Sequence, residues 1–391
     1  MKSYIGRGCL AFAGILFLLF LYRYNQFERV SLYETEGRTF EKATVIEVLQ
    51  DNESLEGVYI GSQEVLLRID SGEHKGEEIE AISSSGFLYG THCTHGKKVI
   101  VVLSESAGEV VASVYSADRG AKIWLIVGIF VLMLIMIGGK KGLYSVLGLA
   151  FTFLCIIGLF LPMIYKGHSP IAAAVLVVIL TTFATMYLIA GATKKAACAA
   201  AGTIIGVMIS GLFAALFGKM TEIGGYNVSD IEDLIYVQEQ IGMDVGELLF
   251  CGILIAALGA VMDVAMSITS TIEELSIKNT QLDWRELFGS GMHVGKDMMG
   301  TMSNTLVLAF AGGSINTLVF LYVYNYEYRQ LINMYSLGVE IIQGLASSIG
   351  VILIVPIVSF IAALAFGKGR NLIWKWNEKH NVINFTDVED Q

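Results

Sequence analysis

The chain has 391 residues, of which 54% are hydrophobic and only 16% charged. Soluble globular chains carry about 25% charged residues, so the balance excludes an ordinary soluble fold and points to the bilayer. The formal net charge is −10, and the stretch from Glu28 to Arg119 holds −9 of it, with seventeen acidic and eight basic residues. That acidic stretch argues against nucleic acid as a partner, because phosphate binding needs Lys/Arg clusters.

The chain opens with Lys2 and Arg7 followed by an apolar run from Gly8 to Tyr22. This is the layout of a signal sequence. No small-x-small cleavage site follows, so residues 1–27 are read as a retained signal anchor. Residues 28–120 lack a long apolar run. Short β-forming segments replace it at Thr44–Leu49, Glu64–Ile69, Glu77–Ile82 and Lys98–Leu103, separated by turn signals such as Ser71-Gly72 and His95-Gly96. The segments on either side of Ser71–Gly76 read as a β-hairpin with a charged loop. Four to six short strands in such a length predict a small all-β, OB-like extracytoplasmic barrel, with an open sandwich as the alternative.

Seven apolar runs follow: Lys122–Ile137, Gly142–Leu161, Pro170–Gly191, Ala196–Phe217, Leu248–Ser270, Ser303–Tyr324 and Ile341–Phe366. With the anchor they predict an α-helical polytopic membrane protein of about eight spans, its transmembrane domain covering residues 121–367 and its tail 368–391. Loop charge orients it. Lys140, Lys141, Lys194, Lys195, Lys278, Arg285 and Lys296 fall on one side, against Lys166, Lys219 and Arg329 on the other. The positive-inside rule then puts both termini in the cytoplasm and the acidic domain outside.

Ionisable residues inside spans are costly and mark function or a bundle interior. At helical spacing, Asp263, Ser267, Ser270 and Glu274 form a polar stripe from mid-membrane towards the cytoplasmic surface. A carboxylate so placed can exchange protons or coordinate a cation. A second stripe holds His293, Asp297, Thr301, Asn304 and Thr305, and the last run adds Glu340 and Gln343 on one side. The two stripes are joined by one loop, so their helices are expected to be antiparallel neighbours, with Asp263 facing Thr301, Asn304 or Thr305. Gly202, Gly206 and Ser210, like Gly252 and Ala256, read as small-residue packing seams. In the loop before the sixth span, Ser229–Ile235 reads as a capped amphipathic helix start. Of the five cysteines only Cys93 lies outside an apolar run, and no C-x-x-C pair exists, so neither a disulfide in the outer domain nor a metal site is expected.

Leu248–Gly252 through Gly259–Ile268, and Ser290–Leu306, resemble the signature segments of the YibE/F family. The layout of anchor, outer domain and multi-helix region is similar to that family too. The resemblance implies a bacterial integral membrane protein and brings no mechanism, cofactor or catalytic residue with it. The residues themselves point to a transporter or exporter of a small solute or ion, coupled through Asp263, with Thr301, Asn304 and Gln343 along its path. The alternative is a sensor or assembly factor that binds a partner through the outer domain. Association with further copies or a related membrane subunit is compatible with both. An enzyme is not expected: only one aspartate lies deep, and there is no H-E-x-x-H.

Overall fold

The computed structural model describes residues 14–27, 37–55, 58–84, 89–106, 109–228 and 231–367. The charged N-terminus, Cys9, Ser229, Asp230 and the tail lie outside the described residues. The chain divides into two compact units, one within residues 28–137 and the other formed by residues up to 27 together with those from 138 on.

The first unit contains β1 (Arg38–Gln50), β2 (Glu53–Leu55), β3 (Val58–Ile60), β4 (Ser62–Ile69), β5 (Glu78–Ser84), β6 (Lys98–Ser106) and β7 (Glu109–Ala117). Five strands close a barrel in the order β1-β4-β5-β7-β6, and β2 and β3 form a separate hairpin. The β5–β7 pair is parallel, whereas the β1–β4, β4–β5, β6–β7 and β1–β6 pairs are antiparallel. β1 is long enough to pair with β6 through Arg38–Thr44 and with β4 through Ala43–Gln50, and register shifts after Val45 and Val48 bend it around the barrel. The period-2 pattern of Gln63, Val65, Leu67 and Ile69 points these side chains inward to Ala43, Val45, Val99, Val101 and Leu103. The predicted segments fall on β1, β4, β5 and β6. The sequence reading did not single out β2, β3 or β7.

A buried polar side chain needs partners, and Gln63 has a full set. Its amide nitrogen donates to Asp51 Oδ1 at 2.8 Å and to the Cys93 carbonyl at 3.1 Å, and its oxygen accepts from the Cys93 amide at 2.6 Å. Ser83 holds the same loop by donating to the Thr91 carbonyl at 2.7 Å. The Gln63 bond, with the Asn52 amide, holds the Asp51 carboxyl below its usual range. Cys93 is buried, which pushes its thiol up and leaves it an unreactive core residue.

The second unit contains α1 (Gly14–Tyr24), α2 (Gly120–Cys155, whose first part belongs to the barrel's unit), α3 (Leu161–Tyr165), α4 (Pro170–Ala190), α5 (Lys194–Thr221), α6 (Ile231–Ile241), α7 (Leu248–Lys278), α8 (Trp284–Gly313), α9 (Ile315–Val323), α10 (Tyr328–Ile332) and α11 (Tyr335–Phe366). Gly139 breaks α2 with φ 53° and ψ −130°, a conformation that glycine alone tolerates cheaply. Two predicted spans therefore run as one helical stretch, Gly120–Tyr165, with a break inside it. Among the described residues five helices are long and apolar enough to cross a membrane, or six if α8 and α9, bent by 65°, count as one. α1 is shorter and packs Leu21 against Gly158 in the π-turn Ile156–Phe160. Asn25 donates to the Gly158 carbonyl at 2.8 Å, using an acceptor at that irregular turn.

The bundle closes where small residues let helices touch. A Cβ on Gly206 would lie 2.6 Å from Val261 of α7 and 3.2 Å from Ile354 of α11, and one on Gly350 would strike Ser210. The predicted Gly202–Gly206–Ser210 seam is thus the contact of α5 with α7 and α11. α8 joins the same core through Gly291, against Ile272 and Ser359, and Gly295, against Val355 and Ile268. At the other end Glu247 accepts from Ser169 Oγ at 2.7 Å and from the Ile171 amide at 3.2 Å. A carboxylate there neutralises the start of α4 and ties it to the start of α7. α11 runs unbroken through Pro356.

Two outcomes are expected. Gly295→Val should cost about 1–3 kcal/mol, because its side chain must enter a contact already at van der Waals distance, whereas Gly128→Ala, inside α2 with nothing near its Cβ, should raise stability by up to about 1 kcal/mol through helix propensity. Thermal unfolding of both variants in detergent, followed by tryptophan fluorescence, checks this. In the barrel, His74 lies between Glu105 at 2.8 Å and Glu77 at 2.9 Å, and these hydrogen bonds raise its pKa. Its stabilising effect should be complete below the unfolded value of about 6.5 and fade as pH rises through the higher folded value. Hydrogen exchange of residues 71–77 across pH 5–8 should show faster opening with rising pH, and His74→Gln should abolish that dependence.

Candidate functional site

The apolar residues of α7 recur with helical period, and Leu254, Ala257, Val261, Val264, Ile268 and Ile272 are all buried. Packing therefore consumes one face and turns the other outward. On that outer face Gly252, Ala256, Gly259, Asp263 and Glu274 are exposed, with Ser267 and Ser270 half-buried. Asp263 sits at the midpoint of the 31-residue helix. It has no hydrogen bond or ion pair among the described residues. Glu274 pairs with Lys278 one turn on, at 2.8 Å, and the neighbouring Glu273 reaches Lys195 of α5 at 2.9 Å.

α8 repeats the arrangement. Leu287, Gly291 and Gly295 are buried in the bundle, while His293, Lys296, Asp297, Gly300, Thr301, Asn304 and Thr305 are exposed. The hydroxyls of Thr301 and Thr305 satisfy themselves on their own helix, donating to the carbonyls of Met298 and Thr301 at 2.9 Å each. Asp297, His293 and Asn304 make no side-chain bond among the described residues.

α7 and α8 are antiparallel neighbours, as the short connection predicts, since Gly291 meets Ile272 and Gly295 meets Ile268. The structure does not, however, bring Asp263 together with Thr301, Asn304 or Thr305. The contact is made by the apolar and glycine faces, and both polar stripes point out of the bundle. The Gly252–Ala256 seam is likewise open, with nothing within 4 Å of a Cβ at Gly252. Gln343 and Glu340 on α11 are half-buried. Glu340 lines a pocket of about 220 Å³ with Val307, Phe310, Ser314 and Gly344, which does not include Asp263.

Inside the bundle lie buried hydroxyls that the sequence reading only touched. Ser347 and Ser348 are buried, and Ser348 Oγ lies 3.5 Å from the Ser303 carbonyl. The hydroxyls of Ser303, Ser347, Ser359, Thr182 and Thr185 are buried without a hydrogen-bond partner among the described residues. The signal for the threonines was present as Thr181-Thr182 and Thr185 within an apolar run. No group of three His, Cys, Asp or Glu that can hold a metal occurs among the described residues.

A β-barrel on the N-terminal side of a set of long apolar helices, one of them with a carboxylate at its midpoint, defines a multi-helix membrane protein. The chain belongs to the YibE/F family, described as YibE/F-like protein, which matches residues 126–368. The match runs from within α2 to the end of α11, and the barrel lies before it. No curated protein and no solved structure matches the chain.

Proposed function

We propose that this protein is a multi-pass bacterial plasma-membrane transporter or exporter of a small solute or ion, coupled to protons or cations through Asp263. The observation that carries the reading is a carboxylate, without a partner among the described residues, halfway along a helix that is otherwise fit to span a bilayer. Ionisable groups at that depth serve ion or proton pathways. In this reading Ser267, Ser270 and Glu274 continue the path towards the cytoplasm, and Asp297, Thr301, Asn304 and Thr305 supply its second wall. Gln343 contributes from α11. The reading is non-enzymatic and needs no cofactor.

The topology that fits is eight spans, with the break at Gly139 separating two crossings and both termini cytoplasmic. The uneven loop lysines and arginines support it. The barrel is then extracytoplasmic. Its five-stranded closure through a parallel β5–β7 pair supports an OB-like assignment.

A second reading, partner binding through the barrel, is favoured by a specific surface. Phe40, Tyr89 and Tyr115 are exposed and packed together, with ring centroids 5.4 Å apart for Phe40–Tyr115 and 5.9 Å for Tyr89–Tyr115. Exposed aromatics grouped in this way are characteristic of interaction sites.

Proteoliposomes carrying an entrapped pH dye provide the test. A gradient of protons or small cations should drive a flux that falls to background in Asp263→Asn and persists in Phe40→Ala. A correctly inserted Asp263→Asn with undiminished flux overturns the coupling role. Flux that survives deletion of residues 30–115 counts against partner binding as the main function.

A further inference from the structure

The outward direction of both polar stripes has a physical consequence. A carboxylate, an amide and an imidazole turned towards hydrocarbon are each costly, and such residues face protein or a water-filled cavity instead. Within one chain nothing covers the Asp263 face among the described helices of its unit. Four glycines stand on the same two outward faces: Gly252 and Gly259 on α7, Gly289 and Gly300 on α8. None has any atom within 4 Å of an added Cβ. A glycine inside a helix costs about 1 kcal/mol relative to alanine. No contact among the described residues calls for these four, whereas small residues on helix faces serve close approach of another backbone.

We infer that a second copy of this chain covers the face, the α7 stripe of each copy docking against the α8 stripe of the other, so that the site around Asp263 is shared between two chains. The register follows from the contacts within one chain. Gly291 lies level with Ile272 and Gly295 with Ile268. Carried along both helices, this puts Asp263 level with Gly300 and Thr301, Gly259 with Asn304, Ser267 with Lys296 and Ser270 with His293. Copies related by a twofold axis along the membrane normal keep these depths, and the pairing then occurs twice. The α8 stripe of the second copy brings the amide of Asn304, which can donate to a carboxylate, within about one helical turn of Asp263, and sets Thr301, whose hydroxyl donates to the Met298 carbonyl of its own helix, beside it. Towards the cytoplasm the basic Lys296, beside Asp297, stands level with Ser267 and about one helical turn from the depth of Asp263, and His293 stands level with Ser270. Charge and donor complementarity thus favour a second copy. The apolar helix preceding Gly139 is a poorer occupant, because residues 125–137 carry no side-chain hydrogen-bond donor.

Disulfide trapping in native membranes tests this. The full-length chain, with its five native cysteines replaced by serine, is expressed as two differently tagged forms. One carries Gly259→Cys or Ser267→Cys, and the other Asn304→Cys or Lys296→Cys. Oxidation should join the two tags for the level pairs 259/304 and 267/296. It should not join Gly259→Cys to Leu212→Cys, a position exposed elsewhere on α5. Links only between α7 and α7, or a link from position 259 to a cysteine at Phe130 within the same chain, overturn the proposal. The unmodified chain in lipid nanodiscs gives a second readout: native mass spectrometry should show a dimer, shifted to monomer by Gly300→Trp, and a monomeric unmodified chain overturns it. Both assays read association and not flux, so their outcome is independent of the transport reading.

Discussion

The mutual contact of α5, α7 and α11 is the constraint on which the helical unit depends. Gly206 and Gly350 bring these helices close enough for Val261, Ile354 and Ser210 to fill the space between them. Lipid tails are as apolar as leucine, so helices gain little from burying hydrocarbon and must gain from close packing. Once α7 has spent Leu254, Val261, Ile268 and Ile272 on that contact, its other face has one direction left. The direction of Asp263 is therefore a by-product of where the glycines and branched residues fall.

The same economy explains α8. Gly291 and Gly295 admit Ile272, Ile268 and Val355 against its backbone, and the histidine, aspartate, threonine and asparagine positions lie on the opposite side. Two helices that were expected to close a polar channel between them instead close an apolar seam and present polar stripes outward. The buried hydroxyls of Ser303, Ser347 and Ser359 are separate polar groups spread along the depth of the bundle.

The barrel obeys different rules. It forms its core from inward-pointing valines, leucines and alanines, and secures its longest loop with Gln63 and Ser83. Its outer surface carries the acidic excess together with an aromatic group at Phe40, Tyr89 and Tyr115. The two units therefore offer two distinct kinds of surface. The helical one carries carboxylate, hydroxyl and amide side chains on the outward faces of α7 and α8, and the barrel's carries acidic residues and a group of exposed aromatic rings.

Much of this was legible in the residues. Apolar run length identified the long helices, period-2 alternation placed four barrel strands, and period-3.6 spacing grouped Asp263 with Ser267, Ser270 and Glu274, because these are local properties of backbone geometry. The family resemblance rested on the segments that became α7 and α8, and residues 126–368 bear it out. Three things were decided only by the fold. The parallel β5–β7 pairing closed the barrel, Gly139 joined two runs into one broken helix, and the glycine contacts turned both polar stripes away from each other. Periodicity tells which residues share a face. Which face another helix takes is settled by packing between segments distant in sequence, where a missing side chain matters as much as one that is present.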